Sequence, residues 1–131
     1  MATKTDHLPN VQGLLTGQGL NVPDAQIYSG PIHEEMDHNC IAMVETGGSP
    51  PDDQYDGSES IQYPEIQIRI RHRDRTKGKS DADDVWELVH DARPTSSYGK
   101  SNAIGSGPAF LGVDDDGRYE WSVNVELYIS E

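Results

Sequence analysis

The sequence predicts an α+β fold: an antiparallel sheet of about four strands, a helix packed on one face of it, and a short N-terminal helix. Residues 65–75 alternate strictly, with Ile66, Ile68 and Ile70 on one parity and polar or basic residues on the other, which is the period of a strand with one covered face. Residues 80–92 place apolar side chains at helical intervals. Residues 118–129 alternate again, with aromatic and aliphatic residues on one parity, and so predict a long, half-buried strand.

The helix in residues 80–92 carries both a start and a stop signal. Ser80 and Asp83 have the spacing of a capping box, with Asp in place of the usual Glu. Pro94 ends the helix because proline lacks the backbone N–H that the helix needs.

The remaining elements rest on shorter patterns. Residues 39–46 are apolar on both parities, as expected of a central strand that is covered on two sides. Residues 109–113 and 118–129 flank an Asp-Asp-Asp-Gly segment, which is typical of a hairpin turn. We also expect a short helix within residues 11–20 and a short strand at residues 26–28.

We expect one domain over residues 1–131, with long loops at about 47–61 and 94–107. The first of these is acidic, has two adjacent prolines and almost no apolar content, so it cannot bury enough surface to order itself. We therefore expect it to order on assembly and to dock a partner. The candidate docking residues are Asp52, Asp53, Tyr55 and Asp56.

Charge is distributed unevenly along the chain. The formal net charge is -13, from 23 acidic and 10 basic residues, and six of the basic residues lie between positions 69 and 79. Strong net acidity argues against non-specific DNA binding, because affinity for phosphates needs a positive footprint. A basic strand in an acidic molecule instead favours contact with the acidic surface of a neighbour.

The single cysteine, Cys40, excludes an intrachain disulfide. The N-terminus has no apolar segment of the secretory type, and no window has the length of a membrane span. We expect a soluble protein that is made in a cytosol and has no contact with a membrane.

Two possible metal sites are weak. His33, His38 and Cys40 are close in sequence, but a zinc site needs a fourth ligand, and the other histidines are distant. The aspartates of the segment 114–117 lack the alternating ligands and the terminal glutamate of an EF-hand loop. We expect no metal at either place.

Catalytic patterns are weak as well. Asp83, Asp84, Glu87 and His90 could suggest acid–base chemistry, but acids in the first turn of a helix and a histidine in its last turn are also what the helix dipole favours. The sequence has no glycine-rich phosphate loop and no nucleophile elbow. We therefore expect neither an enzyme nor a cofactor.

The arginines of residues 65–75 are the candidate subunit interface: Arg69, Arg71, Arg73 and Arg75. Charged residues can also serve only to protect an exposed sheet edge from aggregation. Arginine binds carboxylates in a bidentate manner, so identical subunits could each present a basic strand to the acidic surface of the next and close a ring. On this hypothesis, Arg71→Glu abolishes the ring and leaves the fold intact.

Two motifs resemble the tail terminator, or tail completion, proteins of long-tailed bacteriophages, which are also described as minor capsid or head-tail joining proteins. Residues 63–71, YPEIQIRIR, look like the strand of that family that leads into a helix. Residues 108–125, PAFLGVDDDGRYEWSVNV, are similar to its hairpin and final strand. Gly30 and residues 42–48, AMVETGG, fit its early strand and the Gly-Gly that follows. The resemblance extends from about residue 11 to residue 129.

The resemblance implies a non-enzymatic structural protein of the virion that is assembled in the cytoplasm of the bacterial host. Members of this family form a ring, typically a hexamer, on the head-proximal end of the tail. The implied partners are further copies of the chain, the tail tube protein and a head-tail connector or neck protein. Genomic DNA would pass through the ring without sequence-specific binding.

Three alternatives stay open. The first is a neck or stopper protein on the head side of the same junction. The second is an acidic DNA mimic that inhibits a host enzyme, for which we would expect a stable monomer. The third is a small metal-dependent enzyme around His33, His38 and Cys40, which a metal analysis of the purified protein would test. Self-association distinguishes the second alternative from a ring protein.

Overall fold

A computed structural model describes residues 7–32, 36, 38–47, 49–53, 60–95 and 98–130. Two α-helices and nine strands lie in this part of the chain. In chain order they are α1 (Leu8–Leu15), β1 (Ile27–Ser29), β2 (Cys40–Glu45), β3 (Ser49–Asp53), β4 (Ser60–Tyr63), β5 (Glu65–His72), α2 (Arg75–Val89), β6 (Asn102–Ala103), β7 (Ala109–Val113), β8 (Tyr119–Glu126) and β9 (Ile129–Ser130). Neither helix has the length and apolar content needed to cross a membrane.

The main sheet has six strands in the order β1-β2-β5-β8-β6, and β7 also pairs with β8. β5 is antiparallel to both of its neighbours, with Ile68 opposite Met43 on β2 and Val123 on β8. β1 runs parallel to β2, so the sheet is mixed and larger than the antiparallel sheet of about four strands that we predicted. The predicted α+β class is confirmed.

A second, three-stranded sheet has the order β3-β4-β9. Two of its strands lie in or at the end of residues 47–61, which we predicted to be a long loop. The prediction failed because backbone hydrogen bonds join these strands. Such pairing does not require alternating apolar residues, so it could not be recognised in the sequence. The predicted final strand also divides: β8 ends at Glu126, and β9 joins the small sheet. Residues 94–107, the second predicted loop, contain β6.

The core lies between the main sheet and the two helices. Ile66, Ile68 and Ile70 have no exposed surface, and they belong to the face of the sheet against which α2 packs. The alternation in the sequence therefore identified the buried face correctly. The buried residues of α2 are Gly78, Asp81, Ala82, Val85 and Val89.

α2 begins earlier than the sequence predicted. Its N-cap is Asp74, whose carboxylate accepts a hydrogen bond of 3.1 Å from the backbone N–H of Lys77, and β5 ends at His72. Ser80 and Asp83 therefore lie within the helix instead of capping it, and Asp83 pairs with Lys79 at 2.6 Å. The prediction failed because two residues that commonly cap helices, Asp74 and Ser80, lie six positions apart. Ser80 was chosen because the apolar residues at helical intervals begin after it.

α1 also begins earlier than expected, at Leu8, and has a proline at its first turn. Val11 and Leu15 are its buried residues. The chain after α1 is fixed to α2 by Asp81, whose carboxylate accepts hydrogen bonds of 2.8 Å from the backbone N–H groups of Asn21 and Val22.

Candidate subunit and partner interfaces

Arg69 lies on β5, on the face of the sheet opposite α2. Its Nη2 atom forms an ion pair of 3.3 Å with Oε2 of Glu120 on β8, and its side chain is about one-third exposed. Its Nε atom is buried and has no hydrogen-bond partner. Arg69 is thus partly neutralised within its own chain but still reaches the surface.

Arg71 is buried, with an exposed fraction of 2%. Its Nε and Nη2 atoms donate to the carbonyl oxygens of His38 and Met36, at 3.3 and 3.1 Å. This side chain therefore holds the segment before β2 against the sheet. Only Arg69 and Arg71 of the four predicted interface residues lie on the strand, because β5 ends at His72.

The other two predicted arginines belong to an exposed cluster at the start of α2, which we call the basic segment. Its members are Arg73, Arg75, Lys77 and Lys79, and all are exposed. In the described part of the chain, only Lys79 among them forms an ion pair. The backbone N–H of Arg73 donates to Oδ1 of Asn39 at 2.9 Å, which fixes the beginning of the segment. The cationic surface predicted for the strand is therefore displaced into the turn and helix that follow it.

The predicted docking residues are divided between two regions. Asp52 and Asp53 lie on β3, where their backbones pair with Ile61 and Ser60 of β4. Tyr55 and Asp56 lie outside the described residues. The docking role of this acidic segment stays a prediction.

The Asp-Asp-Asp-Gly segment forms the predicted turn between β7 and β8. Asp114 accepts hydrogen bonds at Oδ1 from the backbone N–H groups of Asp116 and Arg118, and at Oδ2 from Nε of Arg118 at 2.7 Å. Burial acts to raise the pKa of Asp114, but the hydrogen bonds and charge of Arg118 outweigh it, so the pKa lies below its ordinary value. The carboxylate of Asp114, which a calcium loop would use as a ligand, is therefore already hydrogen-bonded within the turn.

The residues weighed as metal or acid–base groups are separated in the fold. Cys40 is fully buried on β2, and His33 lies outside the described residues. Within the described ranges, no three His, Cys, Asp or Glu side chains converge as metal ligands. Nδ1 of His90 accepts from the backbone N–H of Ala103 at 3.1 Å, which ties the end of α2 to β6.

The helix-dipole interpretation of Asp83 and Asp84 was wrong. α2 begins at Arg75 and has no acidic residue in its first turn, so both aspartates lie in the middle of the helix. Asp83 interacts instead with Lys79, one turn earlier.

A surface that the sequence did not single out lies along one edge of the main sheet; we call it the apolar edge. It consists of Ile104, Phe110, Leu111 and Val113, which are the exposed large hydrophobic residues of the described chain. The sequence carried one signal for it, since residues 109–113 are apolar on both parities and contain no charge. A strand with that pattern needs a cover on more than one side.

Comparisons with known proteins agree with this architecture. A sequence model of the family described as "Bacteriophage tail terminator protein" matches residues 14–131. No curated protein matches the chain. Among solved structures, a chain of the "Virion of native gene transfer agent (GTA) particle" has a TM-score of 0.66 at 10% identity, over 92% of this chain and 92% of that chain. At such low identity, this likeness shows a shared fold.

The family match covers nearly the whole length of the chain. Proteins of this family are structural tail proteins, a role that is typically non-enzymatic and that involves association with other virion proteins. The resemblance seen in the strand and hairpin motifs is therefore confirmed, and the chain belongs to the bacteriophage tail terminator protein family.

Proposed function

We propose that this protein forms a ring, most simply a hexamer, that ends the tail tube at its head-proximal end and joins the tail to the head. The observation that carries the proposal is the family match over residues 14–131. Its likeness in fold to a chain of a gene transfer agent virion supports the same setting. The protein would be assembled in the cytoplasm of the bacterial host and would remain in the finished particle.

The surface of the protein supports assembly with further copies. Only 34% of the residues are hydrophobic, and all the exposed large hydrophobic side chains of the described residues lie on one sheet edge. Exposed apolar patches of this kind mark interaction sites in soluble proteins. Ring formation would cover the edge without enlarging the small core of each subunit.

The proposed partners are the tail tube protein on one side of the ring and a head-tail connector or neck protein on the other. The acidic segment that contains Asp52 and Asp53 is the proposed docking element for one of them. DNA would pass through the centre of the ring. Because the chain has a net charge of -13, the ring repels DNA and does not hold it during passage. Fluorescence anisotropy with duplex DNA at low salt tests this step, and tight binding would contradict it.

Deletion of the gene in a particle-producing strain tests the function. Without a terminator, tube polymerisation has no stop, so electron microscopy should show tails of irregular and extended length together with heads that carry no tail. Expression of the wild-type protein in trans should restore joined particles. Free tails of normal length would instead indicate a neck protein, and intact particles would contradict any role at the junction.

A further inference from the structure

The apolar edge is continuous although two separate segments form it. The backbone N–H of Ile104 donates to the carbonyl of Asn124 at 2.8 Å, which extends the pairing of β6 with β8. Ala109 then pairs with Ser122, two residues further along the same strand. The four apolar side chains are 44–56% exposed, and clusters of exposed apolar residues on monomers are often functional.

β7 lacks two of the devices that usually protect an edge strand, charge and proline. It contains no charged residue and no proline, and exposed apolar edges of this kind pair readily with other chains. The strand has a bulge between Phe110 and Gly112, but the bulge leaves Leu111 half-exposed. The edge is therefore available for a partner.

The opposite edge of the same sheet is protected. Nε2 of Gln12 on α1 donates to the carbonyl oxygen of Ile27 on β1 at 2.7 Å, and Oγ of Ser29 donates to Oε1 of Gln12 at 2.6 Å. The carbonyl of Ile27 is therefore already taken and cannot pair with β7 of a second copy, which makes another surface the better partner for the apolar edge.

Charge identifies that partner surface. The apolar edge is flanked by the exposed Asp115 and Asp116 in the turn after β7. Asp116 is paired with Nη2 of Arg118 at 3.2 Å, so Asp115 is the acid of this turn that a partner can meet. A groove of about 260 Å³ between α2 and residues 106–108 is lined by Asp83 and Glu87. Asp83 is already paired with Lys79 of its own chain, so Glu87 is the acid that this groove offers to a partner. With a net charge of -13 per chain, two copies repel each other unless an acidic surface of one meets a basic surface of the other.

The largest group of exposed basic side chains in the described part of the chain is the basic segment; Arg93 and Lys100 are the others. Arg73, Arg75 and Lys77 are exposed and form no ion pair with the described residues. We infer that the apolar edge is where a second copy of this chain docks, with the basic segment of that copy against the acids that flank the edge. This inference rests on the proposed function, because the contact would be the one between neighbouring subunits of the ring.

The contact joins two different surfaces of the subunit. The basic segment follows β5 and the apolar edge lies beyond β8, so one strand separates them in the sheet. Such a contact is head-to-tail and can close into a ring, whereas a contact between two identical surfaces would stop at a dimer.

Leu111→Asp tests the apolar half of the contact. Sedimentation equilibrium should show that the wild-type protein self-associates and that this variant associates at least tenfold more weakly, since a charge would be buried at the centre of the contact. Ala25→Asp is the matched control, because position 25 is exposed and lies just before β1, at the opposite end of the main sheet. It should associate like the wild type, and circular dichroism should confirm that both variants are folded.

Unchanged association of Leu111→Asp would overturn the inference. So would a wild-type protein that stays monomeric at about 1 mM, the weakest range in which a specific contact still forms pairs. Loss of binding to tail tubes with self-association intact would assign the edge to the tube protein and would equally overturn it.

Charge reversal tests the other half. Asp115→Lys and Arg75→Asp should each weaken association, and an equimolar mixture of the two variants should associate more tightly than either variant alone, because the reversed surfaces then face each other. A mixture no tighter than its components overturns the charge pairing. Failure of the contact and failure of the function are distinguishable: normal tails assembled from Leu111→Asp protein would reject only the contact, whereas normal tails after gene deletion would reject the function.

Discussion

Gly78 on α2 lies directly against the indole ring of Trp121 on β8. A Cβ atom at position 78 would come within 2.3 Å of Cζ3 of Trp121 and within 2.9 Å of Cβ of His72. Neither group can yield easily, since the indole is 3% exposed and His72 is 5% exposed. The absence of a side chain at position 78 therefore sets how closely the first half of α2 approaches the sheet.

Gly78→Ala should lower the free energy of unfolding by about 1–3 kcal/mol, as overpacked core substitutions do. The loss should appear although alanine favours a helix by about 1 kcal/mol over glycine. Urea denaturation followed by circular dichroism measures the change.

Gly13→Ala is the matched control for that substitution. Gly13 also lies within a helix, but no atom comes within 4 Å of a Cβ built there. This variant should be more stable than the wild type by about 0.5–1 kcal/mol. If the two alanine variants were equally stable, the contact between Gly78 and Trp121 would not limit helix packing.

The elements that were predicted correctly from the sequence are those in which buried and exposed residues recur at a regular interval. Ile66, Ile68 and Ile70 alternate because one face of β5 is covered, and the strand at residues 109–113 has the bounds expected of it. The start of α2 was misplaced because a cap depends on one local hydrogen bond, here from Lys77 to Asp74. Two nearby residues of suitable type are equally good candidates before the geometry is known.

The candidate interface was less predictable because it depends on contacts between distant residues. Arg71 and Arg73 occupy equivalent positions in the sequence pattern, but only Arg71 is buried. Its guanidinium donates to carbonyl groups that lie more than 30 positions earlier in the chain. Exposure of the apolar edge depends on which strand lies at the end of the sheet. The pattern of residues within one strand does not reveal the order of the strands in the sheet. Sequence therefore located the basic residues but not the surface that they form.

Asp81 should be essential for the stability of the connection between α1 and α2. It is fully buried and accepts hydrogen bonds from two backbone N–H groups and from Nδ2 of Asn21. Asp81→Asn replaces an acceptor by a donor and should lower the free energy of unfolding by about 2 kcal/mol. Asp84→Asn, at an exposed position of the same helix, should change it by less than about 0.5 kcal/mol. Similar losses in both variants would indicate that only the charge of the helix matters.

His72 should make stability depend on pH. Burial lowers its pKa below the ordinary value of 6.5, although the charges of Asp81 and Asp74 act in the opposite direction. Its Nδ1 accepts a hydrogen bond from the backbone N–H of Asp74 at 2.9 Å, which the charged ring could not do. The unfolded chain therefore binds the proton more tightly, so stability is fully present above pH 6.5 and falls as the pH drops from there towards the folded pKa.

His72→Asn isolates this effect. The amide oxygen of asparagine can accept the same hydrogen bond but does not titrate, so the variant should lose less stability than the wild type between pH 7 and pH 5.5. Thermal unfolding at several pH values in that window gives both slopes. Equal slopes would assign the pH dependence to other groups.

Arg71 and Arg73 should respond in opposite ways to the same charge reversal. Arg71→Glu was expected from the sequence to break a ring and keep the fold, but its buried guanidinium binds the carbonyls of Met36 and His38. A buried carboxylate there would lie against these two carbonyl oxygens, which are acceptors like itself, so we expect a loss of about 3 kcal/mol in the free energy of unfolding.

Arg73→Glu should change the free energy of unfolding by less than about 0.5 kcal/mol, because the side chain is exposed and forms no ion pair with the described residues. It should weaken self-association and reduce its dependence on salt, since an exposed cation acts through screened charge. Light scattering across salt concentrations measures both. Arg93→Glu makes the same change in charge at an exposed position outside the basic segment and should have a smaller effect. An equal effect at both positions would mean that net charge, and not the basic segment, governs association.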